Sequence, residues 1–498
     1  MLRSCLILSA LAASAVASAQ PAPGDCTCAA TLDWVATTFA ANDAGYPAVV
    51  ERKGADAYDA MLAGLAARAD GPSASPECES LLREYLGWFR RGHVGISPTG
   101  REQPPTAGAP APSDDELRAR YADAPRLDLD LDAVRARFAS AAEVSGPEGI
   151  WQSGDYEVAV VRADTAGAER YLGVTLASAN AWWQPGQVKF EVYPEGGPDG
   201  GYGVIRLRDH SAAPLTGVDQ IGPAALDLRP VGVYTRTAPA YAPDPAAQVF
   251  LDDRDAPEPR FRQLSPQTAY LRLPDFDASQ KAAIDSVLEA HHTALTSTPN
   301  LVLDIRGNGG GADASYSRVL DYLYTTPIRQ VSAELRSTPL NNARNDAFLA
   351  DPEMPQEIKD WVREIGARLA ATDVEWVPMT DEPVTVERRD TVYAAPARVA
   401  ILTDERNGST AEQFLLDARQ SLKVKTYGVR TAGVLDVSNL NFVPSPCADY
   451  ELAYSISRSF RIPEMAIDDV GLAPDFYLDA GVPRWQWVGH VQGLLEQD

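Results

Sequence analysis

The segment from Asn300 to Gly311, NLVLDIRGNGGG, constrains this chain more than any other. Leu301, Val302, Leu303 and Ile305 form a short apolar run without helical spacing, the pattern of a strand in a sheet covered on both faces. The run stops in Arg306, Gly307, Asn308 and three further glycines. Glycines clustered after a strand allow positive φ and the close approach of another group to backbone N–H donors, so such a loop can hold an oxyanion. Farther along, Asn407 to Glu412 reads NGSTAE, preceded by a strand at Val399 to Leu402. From Thr410 to Leu422 the residues Ala411, Phe414, Leu415, Ala418 and Leu422 recur at helical spacing. Ser409 therefore stands at the N-terminus of a helix, where N–H groups and the helix dipole favour developing negative charge. A serine in that place is most often an N-cap, and glycine loops are common. Together the two motifs point to catalysis more than either does alone.

LVLDIRGNGGG, the serine turn and then GVRTAG, Gly428 to Gly433, resemble the C-terminal-processing, or tail-specific, serine peptidase family over about Thr268 to Asp479. The resemblance implies a crotonase-like stacked-sheet protease fold and a peptide or protein substrate. Members of the bacterial processing type use a lysine in a GKG pattern, which would fall at Val434 here. A serine hydroxyl needs a base. FRRGHVGI, ending at Ile96, resembles the FFxDGHxxI-like pattern of the tricorn-like branch, which implies His93 as general base, with Arg91 where that branch has an acid. The same branch orients its histidine through a carboxylate in an ENxGxxPD-like motif. Ile467 to Asp475 aligns with it, so Asp468 is the expected orienter and Asp469 a second candidate. The resemblance thus implies Ser409 as nucleophile, His93 as base and Asp468 as orienter, with an oxyanion hole from the N–H of Gly310 or Gly311 and that of Thr410. The retinoid-binding repeats of interphotoreceptor retinoid-binding protein also resemble this family. They define the alternative, a non-catalytic protein binding a hydrophobic ligand or peptide on the same scaffold.

At 498 residues the chain needs several cores. With 69 acidic against 44 basic residues its net charge is -25, which argues against a nucleic-acid or anionic-membrane partner. Met1 to Ala19 has Arg3, an apolar core and Ala17-Ser18-Ala19, the pattern of a cleaved secretory signal, so a periplasmic or secreted protein is expected. No later stretch is long and apolar enough to span a membrane. Cys26, Cys28, Cys78 and Cys447 follow the signal. In an oxidising compartment they suggest two disulfides, in any of the three pairings. A zinc site is disfavoured by the short Cys26–Cys28 spacing, and neither metal nor cofactor is expected.

The expected fold class is α+β or α/β: a crotonase-like domain with an N-terminal helical region and an inserted small antiparallel β domain. The expected segments are the signal at 1–19, a helical region carrying His93 at 20–101, and a Pro-rich linker and helix at 102–147. A β barrel or sandwich follows at 148–245, with strands at Tyr156 to Arg162, Arg170 to Leu176, Gln187 to Tyr193, Gly203 to Leu207 and Gly232 to Arg236. Residues 246–498 form the catalytic domain. No PDZ carboxylate-binding loop is recognisable in the β segment. Trp151, Trp182 and Trp183 read as core more than as a ligand surface. Ser337 to Thr380, with a helix at Gln356 to Leu369, reads as an exposed lid or rim. The sequence leaves the oligomeric state open.

Overall fold

The computed structural model describes residues 26–99, 112–164, 169–193, 201–242, 244–352, 354, 356–479 and 481–497. The expected signal and most of the Pro-rich linker lie outside them. Two compact units emerge, each discontinuous in sequence, where consecutive segments were expected. The first draws on the described residues within 26–99, 331–385 and 434–470, and the second on those within 112–330, 386–433 and 471–497.

In the second unit a six-stranded sheet runs Arg260–Gln263, Thr268–Arg272, Asn300–Asp304, Arg398–Thr403, Val424–Gly428, Phe476–Tyr477. The first pair is antiparallel and the rest are parallel. Alternation sends Leu301 and Leu303 to one side, into a core with Ile284, Leu288, Phe414 and Leu415. Val302 and Ala400 face the other side, against Trp487, Val491 and Leu495 of the helix Trp487–Gln497. Both faces are therefore covered, which is why the strand shows no polar alternation. Each fully buried aliphatic side chain contributes about 1.5–3 kcal/mol. Strands Asn300–Asp304 and Arg398–Thr403 are direct parallel neighbours, Asp304 opposite Leu402. The loops leaving their C-terminal ends, the glycine loop and the serine turn, consequently emerge side by side.

The same unit carries a closed barrel of eight antiparallel strands, from Gly149–Ser153 to Gly232–Ala238. Trp151, Val158, Val160, Phe190, Val192, Ile205 and Tyr234 fill it. Trp151 and Trp183 are buried, as core residues should be, and Trp182 is half-buried. Two barrel strands were not expected beyond the first: Ala212–Ile221, whose Pro214 and Gly217 interrupt alternation, and the short Ala225–Arg229.

In the first unit the helices Cys28–Asn42, Tyr46–Lys53, Ala55–Ala66 and Pro76–Gly87 share a core with a five-stranded sheet. Its central strand, Tyr450–Ser459, pairs with Gly95–Pro98, Ala333–Arg336 and Val437–Pro444. The stretch expected as an exposed lid is instead built in. Its helix Gln356–Ala370 is amphipathic, and Ile365 and Leu369 join Leu82, Phe89 and Tyr454 in this core. Burial of that apolar face outweighs the exposure suggested by its charged flanks. The cysteines pair as Cys26–Cys447 and Cys28–Cys78.

Candidate active site

Ser409 has φ 54° and ψ -125° and sits at the N-cap of the helix Thr410–Ala418, yet its side chain makes no capping bond. A β-carbon at positive φ costs roughly 1–2 kcal/mol, so surrounding structure must impose this turn. Two buried asparagines do so. Asn407 donates from Nδ2 to the carbonyls of Ile305 (2.5 Å) and Asn308 (3.1 Å), and its Oδ1 accepts the Asp404 N–H at 2.7 Å. Asn308 donates to the Leu273 carbonyl at 3.2 Å and accepts the Gly310 N–H at 2.9 Å. The serine turn and the glycine loop are thereby bolted together through side-chain amides, and the Thr410 hydroxyl adds a bond to the Gly311 carbonyl at 3.0 Å.

Gly310 (φ 111°) and Gly311 (φ 141°) use conformations that favour glycine. Among the described residues the N–H groups of Gly311 and Thr410 have no hydrogen-bond partner. The N–H of Gly310 is committed to Asn308. Of the two glycines expected to donate, Gly311 is thus the one with a donor to give. Backbone bonds from Phe276 N to Gly310 O and from Ala312 N to Phe276 O fix its orientation. A β-carbon on Gly310 would meet Gly408 O at 2.7 Å, Ser409 Cβ at 2.8 Å and Thr410 N at 2.9 Å. Gly310→Ala is expected to push the loop off the serine turn and to lower kcat roughly 100- to 1,000-fold, the cost of losing one oxyanion donor. Steady-state hydrolysis of a chromogenic peptide, with Tm as a control for folding, measures it.

Glu412, fully buried on the serine helix, accepts the Thr431 hydroxyl (2.5 Å) and the Gly433 N–H (2.8 Å), which anchors the GVRTAG loop. No motif in the sequence singles out Asn308, Asn407 or Glu412 for these tasks; an amide or acid beside a glycine turn is the only signal they leave.

His93 and Asp468 belong to the first unit. His93 takes φ 53°, and its backbone carbonyl accepts Arg90 Nη2 (3.0 Å) and Ser455 Oγ (2.9 Å). Arg90 is held in turn by a bidentate pair with buried Asp43, at 2.8 and 2.5 Å. Gly92 has no room for a side chain, since a β-carbon there would meet Val434 Cγ1 at 2.1 Å. The residue in the family's lysine position therefore packs beneath the histidine turn. Arg91, which replaces the branch's acid, is exposed.

The His93 ring faces a backbone carbonyl, with Nδ1 2.9 Å from Val437 O. Asp468 was expected on that nitrogen. Its carboxylate is instead occupied by three backbone donors, Leu435 N (2.7 Å), Asp436 N (2.6 Å) and Val437 N (3.0 Å). The shorter aspartate holds the N–H of Val437, the residue whose carbonyl meets the ring. Beside it buried Asp436 pairs with Arg461 at 2.8 Å and accepts the Asp468 N–H at 3.0 Å. Asp469, the second candidate, has φ 63°. Asp475 bonds Thr426 across the sheet edge and has no part in this cluster. The expected nucleophile and oxyanion donors thus come together in one unit, and the expected base and acid in the other.

Burial, and then the charge of Arg90, hold the His93 pKa below the ordinary imidazole range against the pull of the Val437 carbonyl. Burial pushes Asp468 up to about 6, opposed by its backbone donors.

Residues 267–478 match the model of Peptidase family S41. No curated protein sequence matches the chain. Among solved structures, mature CPAF complexed with lactacystin is 12% identical, covering 95% of this chain and 99% of that one with a TM-score of 0.51. Mature CPAF is 11% identical over 95% and 98%, with a TM-score of 0.50. The photosystem II D1 C-terminal processing protease is 13% identical over 94% and 96%, with a TM-score of 0.37. At such identities the likeness to CPAF is one of fold. Site and family model together define a serine-type peptidase. Residues 267–478 are thus a peptidase region of the family S41 kind, similar to the tail-specific, or C-terminal-processing, peptidases.

Proposed function

We propose that this peptidase is exported and cuts peptide bonds through an acyl-enzyme on Ser409, with His93 as base. The observation that carries the reading is an uncapped serine in a strained turn beside two unbonded N–H groups. An Nδ1 that bonds a carbonyl must carry the proton, which leaves the His93 Nε2 lone pair to accept the serine proton. The hydroxyl attacks the scissile carbonyl, and the tetrahedral oxyanion takes the N–H of Gly311 and of Thr410. The imidazolium then protonates the leaving amine, and water, deprotonated by the same ring, releases the acyl group. Fluorophosphonate labelling of the wild-type protein at Ser409, read by peptide mass, tests the nucleophile. An unlabelled but folded protein would sink the reading. Export is supported by the signal-like Met1 to Ala19 and by two disulfides. N-terminal sequencing of the protein from the periplasmic or culture fraction tests it, and an intact Met1 there would count against cleavage.

Asp468 enters as a positioning residue. As pH falls through about 6 its carboxylate gains a proton and loses acceptor capacity for the three N–H groups, which loosens the Val437 carbonyl. The neutral His93 base persists to lower pH than an ordinary imidazole, because its pKa is depressed. The wild-type kcat/KM is therefore expected to fall below about pH 6 with a limb steeper than one proton gives. Asp468→Asn, which cannot accept three N–H donors, is expected to lose roughly 10- to 100-fold in kcat with little change in KM. It should retain a single-proton limb displaced to lower pH. A wild-type plateau and limb in that variant would remove Asp468 from the mechanism. Stability carries the opposite sign. A folded pKa above that of an unfolded aspartate means that this group destabilises the fold as pH rises from about 4 through about 6.

A further inference from the structure

Among the described residues, the side-chain hydrogen bonds that hold the backbone of the His93 turn come from Arg90 and Ser455 alone. Arg90 donates to the Gly92 carbonyl through Nε at 3.1 Å and to the His93 carbonyl through Nη2 at 3.0 Å. The buried Ser455 hydroxyl lies 2.9 Å from that same carbonyl and 3.2 Å from Val437 O, the acceptor of the imidazole Nδ1. One O–H thus stands between the peptide that carries the ring and the carbonyl that the ring faces. His93 sits at φ 53°, a conformation unfavourable to any residue with a β-carbon, so its neighbours must impose it.

Both donors lead back to one acid. Asp43, the residue that follows the helix Cys28–Asn42, is fully buried. Its Oδ1 accepts the Gly45 N–H (2.9 Å) and Arg90 Nη1 (2.8 Å), and its Oδ2 accepts Arg90 Nη2 (2.5 Å) and the Ser455 N–H (3.1 Å). The Ala44 N–H adds a bond to the Ser455 carbonyl at 2.8 Å. A planar guanidinium gripped at two nitrogens cannot turn, so its remaining donors stay aimed at the histidine turn.

We infer that Asp43 is a positioning residue for the His93 imidazole, acting through Arg90 and Ser455. Asp468 holds the N–H of Val437, whose carbonyl the ring faces, whereas Asp43 secures the backbone from which the ring projects. The two acids divide a task that in a serine triad falls to one carboxylate on the ring itself. The effect on turnover rests on the reading of His93 as base; the effect on ring orientation does not.

The tautomer of His93, read from nitrogen NMR spectra of the full-length protein with isotope-labelled histidine at about pH 8, tests this without depending on turnover. His93→Gln identifies its signals among the five histidines. Wild type is expected to show a protonated Nδ1 and a bare Nε2, as the bond to Val437 O requires. Ser455→Ala and Asp43→Asn are each expected to free the ring, so that an Nε2–H form appears. They should lower kcat roughly 3- to 10-fold and 10- to 100-fold, respectively, with KM little changed. Ser455→Thr keeps the hydroxyl and should keep the wild-type tautomer. Asp43→Asn leaves the buried Arg90 cation without its anion, so the charge-neutral pair Asp43→Asn with Arg90→Met serves as a second variant, with the same tautomer shift expected. Combining Ser455→Ala with Asp43→Asn should cost less than the product of the two losses, since both act along one path. A wild-type tautomer in Ser455→Ala or in the folded Asp43 variants, or a fall in kcat with the tautomer unchanged, overturns the inference. A shifted tautomer with kcat intact would instead remove His93 as the base and leave the positioning role standing.

Discussion

Ser409→Ala is expected to lower kcat/KM roughly 10,000- to 1,000,000-fold with the circular dichroism spectrum unchanged, since loss of the proposed nucleophile would leave only the contribution of the oxyanion donors and substrate binding. Folding should survive, because the hydroxyl makes no capping bond and alanine bears the same positive-φ strain as serine. Ser409→Gly extends the argument. Removing the β-carbon at φ 54° relieves the clash with the following carbonyl, so this variant should be equally inactive but more stable than wild type by about 1–2 kcal/mol. Urea titration of the three proteins reads the difference. A glycine variant less stable than the alanine variant would show that the turn is not strained, and retained hydrolysis in either would show that another group attacks.

His93→Gln is expected to cost kcat on a similar scale, about 10,000-fold or more, because glutamine fills the space and can keep a bond to the Val437 carbonyl but offers no base. On the proposed mechanism the double variant with Ser409→Ala should be no worse than the single one, since a nucleophile and its base would act as one unit. Additive losses would mean that each residue works through a separate route. The pH profile separates the base from a mere packing role: residual activity of His93→Gln should rise with pH as hydroxide replaces the imidazole, where a packing defect would leave the wild-type limb in place.

Much of this arrangement is legible in one dimension because its signals are local. The strand at 300–304, the glycines behind it and the helical spacing after Ser409 all follow from contiguous residues, and a parallel sheet brings such loops to one edge without further information. The parts that escape depend on distant partners. Nothing around Arg90 announces that Asp43 will grip it, and nothing around Asn407 announces the carbonyls of Ile305 and Asn308. Asp468 shows the same limit. Alignment with the family motif selects a position, but whether an aspartate there meets the imidazole or the neighbouring backbone depends on one methylene and on how the loop at 435–437 wraps it. The helix Gln356–Ala370 was misread because periodicity reveals an apolar face without saying what covers it.

The interleaving of the two units also sets a timetable for biosynthesis. Gly95–Pro98 cannot take its place until Tyr450–Ser459 has been made, and Cys26 must wait for a partner 421 residues downstream. At about 5–20 residues per second that delay is roughly 20 to 80 s. During it the early helices hold an apolar face with nothing to close over it. The nascent chain is therefore expected to depend on chaperones until Tyr450–Ser459 has appeared, and truncation anywhere before that strand should yield an aggregating fragment rather than a smaller folded one.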